Sequence, residues 1–383
     1  MRNSFKIIHK EFKSALNKLK YPDSWFWTRY TINPYSGCAH TCIYCDARSE
    51  RYYLEQDFEN EIVVKINIDK KLEQRIQRAR TLLPDVIGPG GVCDAYQPVE
   101  KTQKNTRKIL EVLKKHEFPV NIATKSSLIT RDVDILKEIA KETWSTVGFS
   151  ISTVNEELAN FLEPHSSNPS ERLKALHTIK LKAPEIQVGI YFIPIIPLLE
   201  DDDASLEDVI KQSKKAGAEF VLFAPGLTLR DTQAQFFIKK LKNSRYNDIV
   251  KPLLELYKGH TNPPAYYVRK LNPTLYALCQ EYKLAVRVKR WIPNDYRKWN
   301  YKISELLLNK EYVDAITTGK SNNNMKWAGL NLNNLDVSII DVFKRDELSK
   351  LKNFSKEIIE FVKPYLEKIN TTNEKITLER FIN

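Results

Sequence analysis

Between residues 60 and 225 two hydrophobic rhythms alternate. Short apolar runs, with VGIYFI and EFVLFA the plainest, recur at 61–66, 84–88, 119–124, 146–150, 186–193 and 219–224. Near-continuous runs of this kind suit strands buried on both faces. Segments of helical spacing lie between them, at 69–80, 101–116, 133–141, 168–182, 205–216 and 232–242. Regular alternation of the two predicts an α/β fold with a parallel sheet. The boundaries carry their own signals. Asn168-Pro169-Ser170-Glu171 offers an N-cap, a proline at the first helical position and a capping glutamate. Ser205-Leu206-Glu207-Asp208 is a second capping pattern, and Lys214-Lys215-Ala216-Gly217 places cations and a glycine where a helix stops. The acidic run at 200–203 reads as the negative first turn of a helix rather than a metal site.

Outside this region the pattern changes. Phe5, Ile8, Phe12, Ala15, Leu16 and Leu19 recur at helical spacing and predict an amphipathic N-terminal helix within a lead-in, 1–27. The alternation fades at Asn262-Pro263-Pro264, which sets the expected edge between a main domain, 28–261, and a mostly helical extension, 262–383. In that extension, 321–336 reads as surface loop. Residues 355–369 read as an amphipathic helix with Ile358, Ile359, Val362, Tyr365 and Leu366 on one face.

Composition adds three points. No stretch approaches the ~20 apolar residues of a membrane span. The basic N-terminus lacks the apolar centre of a secretory signal, so the expectation is a cytoplasmic monomer with no membrane partner. Sixty Lys and Arg against 48 acids leave a net charge of +12, which favours anionic partners, nucleic acid above all, or reflects plain lysine solvation. The five cysteines are an odd number and three fall within eight residues, at Cys38, Cys42 and Cys45. That implies a reducing compartment and a metal or redox site rather than a disulfide framework.

The spacing C-x3-C-x2-C lets three thiolates from one loop wrap a single cubane and leaves the fourth iron without a protein ligand. An open position of this kind marks catalytic rather than structural metal sites. Zinc is the competing metal, but structural zinc takes four ligands in paired spacings and no second C-x2-C exists. His40 would crowd the loop as a fourth ligand. Cys279 reads as core.

The stretches NPYSGCAHTCIYC, GVCDAYQPVEK, TKSSLITRDVDIL, SISTVNEELANFLEP, ERLKAL and FIPIIP follow one another in order. Together they resemble the radical S-adenosylmethionine (SAM) superfamily, and within it the spore photoproduct lyase-like subfamily, over roughly residues 28–300. The resemblance implies a partial (β/α)6 TIM-type barrel with cluster and cofactor at the C-terminal ends of the strands. It implies a [4Fe–4S] cluster on Cys38, Cys42 and Cys45 and S-adenosyl-L-methionine as cofactor, cleaved reductively to a 5′-deoxyadenosyl radical that abstracts hydrogen. An external low-potential electron donor such as ferredoxin or flavodoxin follows. Cofactor contacts fall on Tyr44 through its backbone, on Gly90, Gly91 and Asp94 toward the amino group, on Lys125 toward the carboxylate, and on Ser150 and Ser152 toward the ribose. Gly90, Gly91 and Asp94 have a plainer alternative as a strand-to-helix turn, Lys125 as a solvated residue, and Ser150 and Ser152 as helix caps. Glu163 and Arg172 pair in the barrel mouth or cap a helix, and Arg131-Asp132 is structural. Cys93 is a candidate hydrogen-atom donor, out of register with the family's own cysteine.

From Arg269 to Lys302 nine cations are opposed only by Glu281 and Asp295, and aromatics interleave with them. Lys289, Arg290, Trp291, Arg297 and Lys298 are the expected nucleic-acid contacts, with DNA favoured, cations tracking phosphate and aromatics stacking on bases. The subfamily resemblance implies a DNA-engaging β-hairpin here; an aromatic docking core with one cationic face is the alternative. Three functions therefore stand: a radical enzyme on nucleic acid, in the manner of DNA lesion repair; a radical enzyme on a protein or small molecule; and a nucleic-acid-binding protein with a structural or redox-sensing cluster.

Overall fold

A computed structural model of the protein describes residues 5–52 and 57–371. Its strands are β1 (Lys6–Lys10), β2 (Asn17–Lys18), β3 (Tyr30–Ile32), β4 (Tyr35–Ser36), β5 (Glu61–Lys65), β6 (Ile87–Pro89), β7 (Val120–Thr124), β8 (Ser145–Ser150), β9 (Gln187–Ile195) and β10 (Phe220–Pro225). The larger sheet has the order β10-β9-β8-β7-β6-β3-β2. From β3 to β10 its six strands are parallel, and β2 adds an antiparallel edge. Helices cover the sheet after each crossover, giving the expected partial (β/α)6 barrel. Ile122, Val147, Phe149, Val188, Ile190, Phe220 and Leu222 are wholly buried, as two-sided covering of a parallel sheet requires.

Helix boundaries follow the capping chemistry. Asn168 and Glu171 form a reciprocal capping box at helix Pro169–Lys182. Asp202 caps helix Asp203–Ala216 by accepting from the Ser205 N–H, so the acidic run is a helix start. That helix begins two residues before the Ser205 pattern and stops at Gly217, φ 98°.

Two expectations about strands and helices are corrected. The N-terminal segment is not a helix: β1 pairs in parallel with β5, from Lys6↔Glu61 to Lys10↔Lys65, in a small sheet ordered β1-β5-β4. Long-range backbone pairing overrides a helical spacing that rests on few residues. For the same reason the run at 61–66 is not a barrel strand. The first barrel strand is β3, three residues long and too short to show a rhythm.

The chain divides into two compact units, one of Met1–Leu19 with Trp25–Trp291, the other of Lys20–Ser24 with Ile292–Asn383. The expected edge at 262 moves outward because helix Ala265–Glu281 packs on β10 and fully buries Leu275 and Cys279. The second unit is helical, with helices Lys298–Thr318, Asn323–Leu332, Ile339–Lys344 and Lys356–Thr371. Ile303, Leu307, Met325, Leu332, Ile358, Val362 and Leu366 form its core. Much of the expected loop at 321–336 is therefore helix, started by the Asn322 side chain accepting from the Met325 N–H. Among the described residues no helix is long and apolar enough to cross a membrane.

Candidate active site

The cysteine loop leaves the C-terminal end of β3, where parallel α/β folds gather their chemistry. Gly37 (φ 79°) and Thr41 (φ 47°) both take left-handed backbone, Thr41 against the preference of a β-branched residue. Side chains from elsewhere hold this shape. The buried Gln97 amide accepts from the Ala39 N–H at 2.8 Å and donates to the Gly37 carbonyl at 3.1 Å. Arg48 donates to the carbonyls of Thr41 and Cys42, each at 3.0 Å. The Gln233 side chain donates to the Tyr44 carbonyl at 3.0 Å. Cys38 and Cys42 are buried, Cys45 is half-buried, and all three are free thiols.

Burial pushes each of these thiols above its ordinary pKa, and the neighbouring thiols add to the effect at Cys38 and Cys42. Three such thiols in one dry loop, facing the cations Arg48 and Lys125, are a donor set that a positive metal centre stabilises as thiolates. Among the described residues no three such side chains converge as ligands of one ion. A cubane sets each thiolate on a different iron, which asks for a wider spread than a single ion does. Three free thiols from one loop are a donor set that such a cluster takes, one on each of three irons.

His40 does not join the cysteines. Its Nδ1 faces the His165 carbonyl at 3.1 Å and its Nε2 faces Asp94 Oδ2 at 3.2 Å. Asp94 Oδ1 accepts from the Thr124 hydroxyl and the Tyr96 N–H, each at 2.8 Å, and Oδ2 accepts from the Lys125 N–H at 2.7 Å. Burial alone would raise the Asp94 pKa; His40 and these amides outweigh it and bring it down to about 2. Three hydrogen-bond donors thus meet Asp94 and tie β7 to the loop after β6; a carboxylate has about four lone-pair sites, so these contacts leave room for the expected cofactor ammonium. Gly90 stands at φ 85°, where a Cβ would lie 2.7 Å from the Cys93 carbonyl oxygen, whereas Gly91 has room for one. Gly90 is there for the turn.

A second network lies beyond the strand ends. The Tyr44 hydroxyl donates to Glu163 and lies 3.3 Å from Ser152 Oγ. Arg172, 1% exposed, pairs with Glu163 and donates to the Ser150 carbonyl at 2.7 Å, so the pair forms and is more than a cap. Lys125 Nζ lies 3.9 Å from Glu163 and 5.8 Å from the Tyr44 ring centre. Burial opposes the charge on both Glu163 and Lys125. Arg172 and then Lys125 outweigh burial at Glu163 and hold it below the ordinary value, while Glu163 in turn holds Lys125 above its own. The structure thus brings Tyr44, Lys125 and Ser152 together with the three cysteines and adds Glu163 and Arg172.

Other expected residues fall elsewhere. Cys93 is buried in one cluster with Tyr35, Cys38 and Val64, and burial pushes its thiol up to about 12. Arg131 pairs with both Asp132 and Glu100, as a structural residue does. The basic stretch forms no hairpin among the described residues. Ala285 pairs in parallel with Phe220 and the chain then runs irregularly to helix Lys298–Thr318. Arg290 is 3% exposed and stands 4.7 Å over the Trp27 ring, while buried Arg297 grips Asp295. Neither lies open to phosphate, which corrects that part of the expectation. Lys289 is exposed, and Trp291 and Lys298 are half-buried.

Arg48, Gln97 and Gln233 were not legible as site residues. Arg48 follows the third cysteine in CDAR and Gln97 follows Asp94 in DAYQ. Proximity in sequence was the available signal, but their partners are backbone atoms of a loop whose shape no pattern encodes.

Residues 32–211 match the Radical SAM superfamily. An uncharacterized protein of Mycobacterium tuberculosis is 30% identical over 277 residues, 71% of this chain and 80% of that protein. An uncharacterized protein of Methanocaldococcus jannaschii is 31% identical over 215 residues, 56% of this chain and 75% of that protein. Among solved structures, spore photoproduct lyase complexed with dinucleoside spore photoproduct superposes with a TM-score of 0.55 at 15% identity, covering 72% of this chain and 79% of that one. That last likeness is one of fold.

Proposed function

The chain belongs to the radical SAM superfamily, and from that premise we propose that it abstracts hydrogen from a nucleic-acid substrate, DNA in the first instance. Members of the superfamily bind a [4Fe–4S] cluster and S-adenosylmethionine, which together supply reductive cleavage of the sulfonium and a 5′-deoxyadenosyl radical. Cys38, Cys42 and Cys45 would hold the cluster. Lys125 would meet the carboxylate of S-adenosylmethionine, with Glu163 and Arg172 fixing its position. Gly90 and Gly91 would present backbone to the amino group. The side chains of Ser150 and Ser152 would serve the ribose. Leu158, Leu162, Leu229 and Phe237 pack around Ile43 and Tyr44 and keep this side of the loop dry, which guards a radical against water.

The observation that carries the chemistry is the loop of three free thiols, two of them buried and Cys45 half-buried, closed by Arg48 and Gln97. The choice of nucleic acid is supported by the net charge of +12, by exposed Lys289 and half-buried Lys298, and by fold likeness to a lyase bound to a dinucleoside lesion. An external low-potential donor is required to deliver the electron. The test is isotope transfer. The reconstituted protein is incubated anaerobically with S-adenosylmethionine, dithionite and ultraviolet-irradiated DNA deuterated in its thymine methyl groups or sugars. Deuterium in the 5′-deoxyadenosine supports the reading; cleavage without deuterium from any DNA position, irradiated or not, moves the substrate to another class.

A further inference from the structure

Arg48 sits three residues beyond the last cysteine, and its side chain is 5% exposed. The guanidinium is stacked between two rings, 4.6 Å from the centre of Phe58 and 3.9 Å from that of Phe236. Its Nε donates to the Cys42 carbonyl and its Nη2 to the Thr41 carbonyl, while Nη1 pairs with Glu59. All five donors of a guanidinium lie in one plane, so this fork fixes the loop at the strained Thr41 and aims a permanent charge at it. Glu59 is 38% exposed and well hydrated, so it offsets the cation only in part.

We propose that Arg48 is a positioning residue that also serves as the fixed countercharge of the cluster, raising its reduction potential and making the electron easier to accept. The inference rests on the reading that Cys38, Cys42 and Cys45 hold a [4Fe–4S] cluster. One electron makes the cluster and its three thiolates one unit more negative. A buried cation beside the thiolates stabilises the reduced form more than the oxidised form, and net charge and exposure are the levers that set such potentials. Lysine would keep the charge but lose the planar two-carbonyl grip.

The test is an EPR-monitored redox titration of anaerobically reconstituted protein, with iron and sulfide measured on each sample. Arg48→Gln should retain part of the loop contact and shift the midpoint to more negative potential by about 59 mV or more, the one-electron equivalent of a tenfold change. Arg48→Lys should stay near the wild-type midpoint while losing iron faster on exposure to a chelator. Glu59→Gln, which leaves Arg48 and the loop in place, should move the midpoint the other way. Glu59→Gln also keeps the test alive should Arg48→Gln fail to hold iron. Midpoints unchanged in both Arg48→Gln and Glu59→Gln, with full iron content, would overturn the countercharge and leave Arg48 a strut. Wild-type protein that takes up no iron would overturn the cluster reading itself, a separate outcome.

Discussion

Glu163 is a carboxylate with almost no water around it, held between Arg172 and Lys125 and accepting from the Tyr44 hydroxyl. Burial raises its pKa and the two cations lower it further than burial lifts it. A depressed carboxylate contributes stability above the unfolded value, about 4.3, and that contribution is lost as pH falls through the folded value. Glu163→Gln should therefore lower stability at pH 7 by about 3 kcal/mol, the low end for breaking a buried pair, because Arg172 keeps its bonds to the Ser150 and Ser167 carbonyls. The gap from wild type should narrow as pH falls below about 4; denaturant melts from pH 7 to 3 check it, and a gap that widens on acidification would contradict it. Lys125→Ala should weaken S-adenosylmethionine binding with iron content unchanged, measured by calorimetry on reconstituted protein. Unchanged affinity would return Lys125 to a purely structural pairing with Glu163. The cysteines were legible because their chemistry is written in adjacent positions. Asp94 was legible as a site residue, but its hydrogen bonds to Tyr96, Thr124 and Lys125 were not, because they join separated segments.

At the level of elements, the strands buried on both faces were legible, since an apolar run such as EFVLFA has few other fates in an α/β domain. The short β3 and the N-terminal β1 were not, because what defines them is pairing with residues about 55 positions away. The β6 turn shows what such elements require. Gly90→Ala would place a methyl against the Cys93 carbonyl and the Ala95 N–H at a left-handed φ, and should cost about 1–3 kcal/mol; Gly91→Ala should cost far less, as thermal melts of the two would show. The basic stretch splits the same way. Lys289→Ala should weaken binding to many DNA sequences alike and reduce the salt slope by about 1. Arg290→Ala should instead lower the melting temperature, since its guanidinium covers Trp27. An exposed and a buried cation look alike in sequence, and only packing tells them apart. Filter-binding titrations at several salt concentrations, beside thermal melts, check both; Lys289→Ala with wild-type binding would make the stretch a packing segment.

Across the whole chain, the charge of +12 suits an anionic partner or plain lysine solvation and does not choose between them. The division at Trp291 rather than near residue 262 was hidden because helix Ala265–Glu281 belongs to the barrel by packing, not by rhythm. What the molecule does chemically rests on one claim: its cysteine loop carries a cluster that cleaves S-adenosylmethionine. Anaerobic reconstitution followed by dithionite and S-adenosylmethionine, with 5′-deoxyadenosine quantified by chromatography, tests it most directly. The account predicts about four irons per chain and 5′-deoxyadenosine that accumulates with wild-type protein and is abolished by Cys42→Ala. Protein that binds zinc in place of iron, or that holds a full cluster yet yields no 5′-deoxyadenosine, would contradict it.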